Sequence, residues 1–354
     1  MITMDELLAL MVRQGGSDLH LSVGSPPRIR VHGQLLPVDA APLEPDDTRR
    51  LATSVLSADQ IARLDRDLEL DCSFGLEGYG RFRANAFYQQ GSVAAVLRSI
   101  PSEIPEFEQL GMPIDVCQRI CSMRSGLVLV TGATGSGKST SLAAMINHVN
   151  TSRQAHIVTI EDPVEFTHLH RSCLVTQREV GGDTRNFQNA LRSVLRQDPD
   201  VVLVGELRDH ETIEAALTLA ETGHLTFGTL HTSDAVQTIN RIIDVFPAHQ
   251  QSQVRTQLSF SLEAVFSQQL LSRADGRGRA MACEIMTCTP GIRALIRDAK
   301  SHQIYSHIQT GGRLGMRTMA MSLAQHVRAG TVNVVDAEMA LSDPNELRNL
   351  IKAA

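Results

Sequence analysis

The chain has 354 residues, enough for about two domains of ordinary size. Hydrophobic residues make up 42% of the sequence and charged residues 20%, a composition that excludes a disordered or fibrous protein. The formal net charge of -6 offers no general attraction for nucleic acid or for an acidic membrane surface. We therefore expect a folded protein that binds no nucleic acid.

The six cysteines include no CxxC pair and no cluster that could build a zinc site. We expect free thiols, and with them a reducing, cytoplasmic location. The first residues show no signal-peptide pattern, and no apolar run approaches the roughly 20 residues that cross a bilayer. We therefore expect no direct membrane insertion, so that any association with a membrane goes through a partner.

The first hundred residues predict a small α+β domain. His32-Gly33-Gln34 predicts a hairpin turn, and helical spacing runs from Thr48 to Leu64. Pro101 to Pro105 interrupts both periods, so we place the domain at residues 1–100 and a linker at residues 101–117. Three segments alternate in the manner of half-buried strands: Asp18 to Leu21, Arg28 to Val31 and Arg81 to Phe87.

After Gly126 the pattern changes to apolar strands that alternate with helices such as Thr184 to Arg196. This alternation predicts an α/β domain over residues 118–354, with a largely parallel sheet covered on both faces. From about Thr289 the pattern is mostly helical and predicts a helical subdomain over residues 289–354. The predicted strands are Leu127 to Val130, Ile157 to Ile160, Val201 to Val204 and Leu225 to Leu230.

A phosphate-binding loop is predicted at residues 132–140, which follow the GxxxxGK[ST] pattern between an apolar strand and an amphipathic helix. Backbone N–H groups would surround the phosphates, Lys138 would add a charge, and the Ser139 hydroxyl would bind Mg²⁺. The pattern therefore predicts ATP and Mg²⁺ as cofactors. The predicted nucleotide-binding residues of the loop are Gly132, Thr134, Gly135, Ser136, Gly137, Lys138, Ser139 and Thr140.

Acidic residues follow two of the predicted strands. Glu161 to Glu165 forms a carboxylate cluster at the end of one strand, where a carboxylate could orient and deprotonate water. A solvated surface turn is the alternative interpretation of this cluster. Glu206 ends the strand that begins at Asp200, the arrangement that holds Mg²⁺, directly or through water, beside a phosphate loop.

Two histidines complete the candidate site. His224 follows a helix and His231 follows a strand, and we expect both to lie near the ligand-binding edge of the sheet. Either could sense the γ-phosphate. A histidine at such a position can also be purely structural.

Four elements, in this order, resemble the secretion-ATPase superfamily and within it the PilT/PilU family of type IV pilus retraction ATPases. The resemblance implies a RecA-like ATPase core, a PAS-like N-terminal domain and a homohexameric ring that hydrolyses ATP between subunits. It covers nearly the whole chain. The four elements are Gly132 to Thr140, Ile160 to Phe166, Asp198 to Asp209 and Gly228 to Thr232.

The resemblance also implies roles for individual residues. It makes Glu165 the catalytic base, Glu206 the acid of the second strand, and His224 and His231 the histidine-box residues. It adds three arginines that would complete the nucleotide site: Arg83, Arg98 and Arg241.

The implied setting is the cytoplasmic side of the inner membrane at the pilus base, where the ring would act on a PilC-like platform protein to withdraw pilin, with twitching motility as the result. The family's retraction helix matches Gly291 to Arg297, with departures at Gly291 and Ala294. Ala133, residues 175–181 and residues 343–348 look more like PilU, whereas the histidine box looks more like PilT.

Three other functions are alternatives. One is an accessory, PilU-like subunit that works with a paralogous retraction ATPase. Another is a pilus extension or type II secretion motor, but its usual four-cysteine zinc insert is reduced here to Cys283 and Cys288. A DNA or RNA translocase is disfavoured by the acidic balance and by the lack of a basic, aromatic-rich stretch.

Overall fold

The computed structural model describes residues 2–101 and 103–352. They divide into two compact units. One unit extends to Glu103 and also takes in the short segments Pro163–Thr167 and Gly181–Asp183, and the other contains the rest of the chain from Ile104 onward. Neither short segment was predicted from the sequence. Four positions of the predicted domains and linker lie outside the described residues: Met1, Ser102, Ala353 and Ala354.

The N-terminal unit is an antiparallel sheet with helices, as predicted. The order of its six strands is β3-β2-β1-β6-β5-β4. Its elements are α1 (Met4–Arg13), β1 (Asp18–Leu21), β2 (Arg28–Val31), β3 (Gln34–Pro37), α2 (Pro45–Thr53), α3 (Ala58–Asp67), β4 (Glu69–Leu76), β5 (Gly80–Gln89) and β6 (Ser92–Ile100).

The predicted hairpin joins β2 to β3, where Val31 pairs with Gln34. His32 and Gly33 between them have φ angles of 49° and 83°, as a two-residue turn of this kind requires. The helical spacing from Thr48 to Leu64 belongs to two helices instead of one. A new helix, α3, begins because Ser57 caps it by accepting a hydrogen bond from the Gln60 N–H.

The second unit is built on a seven-stranded sheet of order β13-β12-β7-β11-β10-β8-β9. Its elements are α4 (Phe107–Leu110), α5 (Ile114–Cys121), β7 (Gly126–Thr131), α6 (Lys138–Ser152), β8 (His156–Glu161), β9 (Leu174–Glu179), α7 (Phe187–Val194), β10 (Val201–Val204), α8 (His210–Glu221), β11 (Leu225–Leu230), α9 (Ala235–Asp244), α10 (Gln251–Ser261), β12 (Leu262–Ser272), β13 (Arg279–Thr287), α11 (Pro290–Arg297), α12 (Ile304–Thr310), α13 (Met319–Arg328), α14 (Val334–Met339) and α15 (Asn345–Lys352).

Every neighbouring pair in this sheet is parallel except β12 and β13. All four predicted strands are present, and two separate apolar cores cover the two faces of the sheet. The central strands β7, β10 and β11 are buried along their whole length, which explains their continuous apolar sequences. The α/β core and the mostly helical end after Thr289 agree with the prediction.

The predicted linker is too long. Residues from Ile104 onward belong to the second unit, where α4 and α5 pack on its core. Phe107, Val116 and Cys117 are buried there. The prolines and glycine between residues 101 and 113 interrupt the helical period, but the apolar side chains on both sides of them still reach the core.

Within residues 2–101 and 103–352, none of the helices combines the length and the apolar character needed to cross a membrane.

The packing of the parallel core predicts that alanine substitution at two phenylalanines has very different effects on the free energy of unfolding. Phe227 on β11 is fully buried, whereas Phe260 on α10 is 63% exposed. Phe227→Ala should lower the free energy of unfolding by about 3–5 kcal/mol, because it leaves a cavity in the core. Phe260→Ala should cost less than about 1 kcal/mol. Urea unfolding measures both, and equal losses would contradict the described packing.

Candidate functional site

The phosphate loop connects β7 to α6 with three glycines in conformations that other residues rarely adopt. Gly132, Gly135 and Gly137 have φ angles of 141°, 80° and 91°. A Cβ atom on Gly132 would lie 2.3 Å from the backbone oxygen of Gln268 and 2.6 Å from Ser136 Oγ. Only glycine therefore fits at Gly132, where the loop turns against β12.

Two polar groups inside the loop suit a bound phosphate. The Lys138 ammonium donates hydrogen bonds to the backbone oxygens of Gly132 (2.7 Å) and Ala133 (3.0 Å). Burial lowers the pKa of Lys138, and the negative charge of Glu206 opposes this shift. Ser136 Oγ is buried and has no hydrogen-bond partner within the described chain. A phosphate oxygen would satisfy this hydroxyl, so the loop fits the predicted nucleotide.

The remaining loop residues are open to solvent or partly so. Ser139, the predicted Mg²⁺ ligand, is the second residue of α6 and is exposed, as is Thr134, while Thr140 is half-buried. Among the residues that the structure describes, no group of three or more His, Cys, Asp or Glu side chains could hold a metal alone. Any Mg²⁺ here would be bound mainly by phosphate oxygens, as the loop pattern predicts.

Glu206 lies at the carboxyl end of β10 and contacts two cationic or polar side chains. Its Oε1 is 3.2 Å from His231 Nε2, and its Oε2 is 2.8 Å from the Arg208 guanidinium. The side chain of Glu206 is 22% exposed, so this carboxylate is held rather than freely solvated. The sequence prediction missed Arg208, although its position two residues after Glu206 is a usable signal.

The two histidines do not lie together. His231 follows β11 at the edge of the sheet where the phosphate loop follows β7, because these two strands are parallel neighbours. His224 precedes β11, and its backbone oxygen accepts the N–H of Gly126 at the start of β7. A six-residue strand spans roughly 20 Å. The expectation that both histidines lie at the ligand edge is therefore wrong for His224.

His224 makes local contacts at the end of α8. Its Nδ1 is 3.0 Å from the Leu219 oxygen and 3.1 Å from the Thr222 hydroxyl, at the end of α8. The chain passes from this helix end into β11, so His224 secures a turn. The histidine motif predicted from sequence therefore places only His231 beside Glu206.

The predicted arginines lie in different units. Arg83 on β5 and Arg98 on β6 are direct cross-strand neighbours in the N-terminal sheet. Arg98 binds Asp18 at 2.7 Å, Arg30 approaches the same carboxylate at 3.8 Å, and Arg83 lies 3.5 Å from Asp71. Strand register places Arg30, Asp18, Arg98 and Arg83 in one row on one face of this sheet.

Arg241 belongs to the second unit, on α9, which begins four residues after His231. Its side chain is exposed. Since α9 ends at Asp244, Arg241 lies near the carboxyl end of the helix, away from the turn that leads out of His231. Its predicted part in nucleotide binding stays a prediction.

The acidic cluster after β8 contains both buried and exposed carboxylates. Glu161 is buried and accepts a hydrogen bond of 2.6 Å from the Thr159 hydroxyl. Asp162 and Glu165 are exposed. Glu165 lies in Pro163–Thr167, the segment grouped with the N-terminal unit, and its catalytic role stays a prediction.

The segment that resembles a retraction helix forms α11. Ile292 and Ile296 are buried, and Arg293 donates hydrogen bonds to the backbone oxygens of Ser259, Phe260 and Leu262 and binds Glu263 at 2.7 Å. Arg293 thus satisfies free carbonyls at the end of α10. Arg297 lies 5.7 Å above the Phe260 ring. Both arginines therefore fix α11 to α10.

A glycine-lined phosphate loop before a helix, with an acid and a histidine at the ends of neighbouring parallel strands, defines a P-loop ATPase with a RecA-like core. A family model described as Type II/IV secretion system protein matches residues 2–286. The chain belongs to this family, as an ATP hydrolase of the PilT/PilU type.

Individual relatives align with this chain over nearly its full length. The type IV pilus retraction ATPase PilT of Pseudomonas aeruginosa is 52% identical, over 93% of this chain and 95% of the relative. The type IV pilus ATPase PilU of the same organism is 42% identical, over 98% and 91%. A crystal structure of the pilus retraction motor PilT with bound ADP has a TM-score of 0.92 and 48% identity, and the match covers 99% of this chain and 100% of that one.

The separate positions of the histidines predict different effects of the same substitution. His231→Ala should keep nucleotide affinity but lower ATP turnover by about 100-fold, because Glu206 loses the imidazole that lies 3.2 Å from its carboxylate beside the phosphate loop. His224→Ala should leave turnover nearly unchanged. Steady-state ATPase assays and nucleotide titration measure both quantities. Unchanged ATP turnover in His231→Ala would contradict a catalytic role for this residue.

Proposed function

We propose that this chain is the ATPase motor of type IV pilus retraction. The observation that carries the proposal is the end-to-end similarity to a retraction ATPase, combined with a complete phosphate loop and a Glu206–His231 pair beside it. The part played by the pilus is inferred from the names of the relatives, and the nucleotide chemistry is inferred from the geometry of the site. Twitching motility would be the cellular result.

The residues of the site divide the work of hydrolysis. Backbone N–H groups of the loop and Lys138 bind the phosphates, and the Ser136 hydroxyl gains a partner there. Ser139, together with Glu206 through water, would hold Mg²⁺, which would offset phosphate charge. Glu165 deprotonates the attacking water, and His231 senses the γ-phosphate through Glu206.

The finer assembly is also part of the proposal. The chain forms a homohexamer in which Arg83 and Arg98 of the N-terminal sheet, together with Arg241, complete the nucleotide site. The ring works in the cytoplasm at the base of the pilus and acts on an inner-membrane platform protein of the PilC type. The surplus of arginine over aspartate in the row that includes Arg83 and Arg98 supports an anionic ligand.

An accessory, PilU-like role is the second candidate. Ala133 in the phosphate loop, residues 175–181 and residues 343–348 favour it. Gly291 also departs from the retraction-helix pattern, and a Cβ atom there would lie 3.1 Å from His307 Cε1. In this role the chain would need a paralogous retraction ATPase for full turnover.

ATP turnover by the purified chain tests the catalytic assignment. Glu165→Gln should bind Mg·ATP but lower turnover by about 100-fold or more, because an amide cannot accept the proton of water. The matched control is Asp162→Asn, an exposed acid of the same cluster that should keep most of its activity. Loss in the control and not in Glu165→Gln would assign the base to Asp162.

A cellular assay separates the motor from the accessory role. In cells that lack their own retraction ATPases, expression of this chain alone should restore twitching, and Glu165→Gln should not. Turnover in vitro without retraction unless a paralogue is present would favour the accessory role. No turnover despite ATP binding would refute the autonomous motor.

A further inference from the structure

A buried carboxylate lies between two helices of the second unit. Glu284 on β13 is 2% exposed, and its Oε1 accepts the N–H of Ala235 at 2.9 Å. The backbone N–H of Met319 also acts on this carboxylate, since it opposes the rise in the pKa of Glu284. Ala235 is the first residue of α9, and Met319 is the first residue of α13. Glu284 therefore binds the N-terminus of α9 and lies near that of α13.

Both helix starts have reason to bind a carboxylate. The first N–H groups of a helix have no partner within the helix, and its N-terminus carries a partial positive charge. A buried N–H without a partner is unfavourable, so the position of Glu284 fixes where α9 and α13 begin. Because α13 belongs to the C-terminal helices, Glu284 connects them to the element that follows His231.

The turn between His231 and α9 is short and contains several side-chain hydrogen bonds. The hydroxyls of Thr232 and Thr238 are 2.7 Å apart, and Thr238 also donates to the Asp234 oxygen at 2.7 Å. Asp234 caps α9 by accepting the Gln237 N–H at 2.7 Å. With only three residues between His231 and Ala235, a shift of the start of α9 must move His231 relative to Glu206.

We propose that Glu284 is a positioning residue for ATP hydrolysis, which anchors the start of α9 so that His231 stays against Glu206. Because Glu284 also lies near the start of α13, the C-terminal helices help to support the catalytic site. This inference rests on the proposed role of His231. Glu284 acts through the backbone of α9 and touches no nucleotide.

The charges around Glu284 make its anchoring dependent on pH. Burial raises the pKa of Glu284 to about 7, and the nearby carboxylates of Asp234 on α9 and Glu346 on α15 contribute to the rise. Tyr305 on α12 also lies within its field, and Arg317, just before α13, donates to the backbone oxygen of Cys283 at 2.9 Å. Protonation removes the negative charge that attracts the partly positive start of α9.

The sign of the effect on stability follows from this raised pKa. Between pH 4.5, the ordinary value, and about 7, the folded protein holds a proton that the unfolded chain releases. The native protein therefore loses stability as pH rises through that window, and Glu284→Gln does not lose this contribution. The melting temperature of the variant minus that of the native protein should rise from pH 4.5 to 7 and then level off. A difference in melting temperature that does not change with pH would contradict the raised pKa of Glu284.

A double-mutant cycle tests the positioning role. Glu284→Gln should lower kcat about tenfold with little change in KM, because a neutral amide binds the partly positive start of α9 less strongly than a carboxylate does. In the His231→Ala background, the same change should lower kcat by less than about twofold, since the residue through which it acts is gone. An equal loss in both backgrounds, or no loss in the native background, would overturn the inference. His231→Ala alone reports separately on the proposed function.

Two further variants keep the test decisive. Glu346→Gln is the matched control: Glu346 accepts hydrogen bonds from Tyr305, Gln309 and Thr318 in the same helical end. It has no bond to α9 within the described residues and should leave kcat unchanged. If Glu284→Gln does not fold, Thr232→Val loosens the same turn and should show the same dependence on His231. If Thr232→Val lowers kcat equally in the His231→Ala background, the inference that this turn acts through His231 is overturned.

Discussion

The carboxyl edge of the parallel sheet is the constraint on which the nucleotide site depends. Because β7, β10 and β11 are neighbouring parallel strands, the residues that follow them meet at one edge. The phosphate loop, Glu206 and His231 are brought together in this way, although almost a hundred residues separate the first from the last. The tight approach of Gly132 to the Gln268 oxygen then fixes the loop against β12.

Much of the second unit could be predicted because its structure depends on short, contiguous stretches of sequence. The central strands are buried on both faces and read as continuous apolar runs, and the phosphate loop needs glycine at particular φ angles. Strand β9 escaped prediction because it is an edge strand with polar side chains. The β12–β13 pair was missed because β12 carries glutamate and glutamine, whose burial depends on distant partners such as Ser141.

The two histidines show what a motif in sequence cannot resolve. His224 and His231 are seven residues apart, and nothing in that spacing tells which end of a strand each one occupies. The decisive fact is that β11 lies between them and runs from one edge of the sheet to the other. Glu284 escaped prediction for a related reason: its partner is the backbone N–H of Ala235, 49 residues away, and backbone groups leave no signature in sequence.

The arginine row of the N-terminal sheet has a further consequence for how this unit meets its surroundings. Three guanidinium groups share one row with a single aspartate, and arginine keeps its charge at every pH that a cell experiences. Whatever anion or acidic surface lies against this row, ionic strength and not acidity will govern the strength of the contact, because dissolved ions screen exposed charges over about 10 Å at 0.1 M salt.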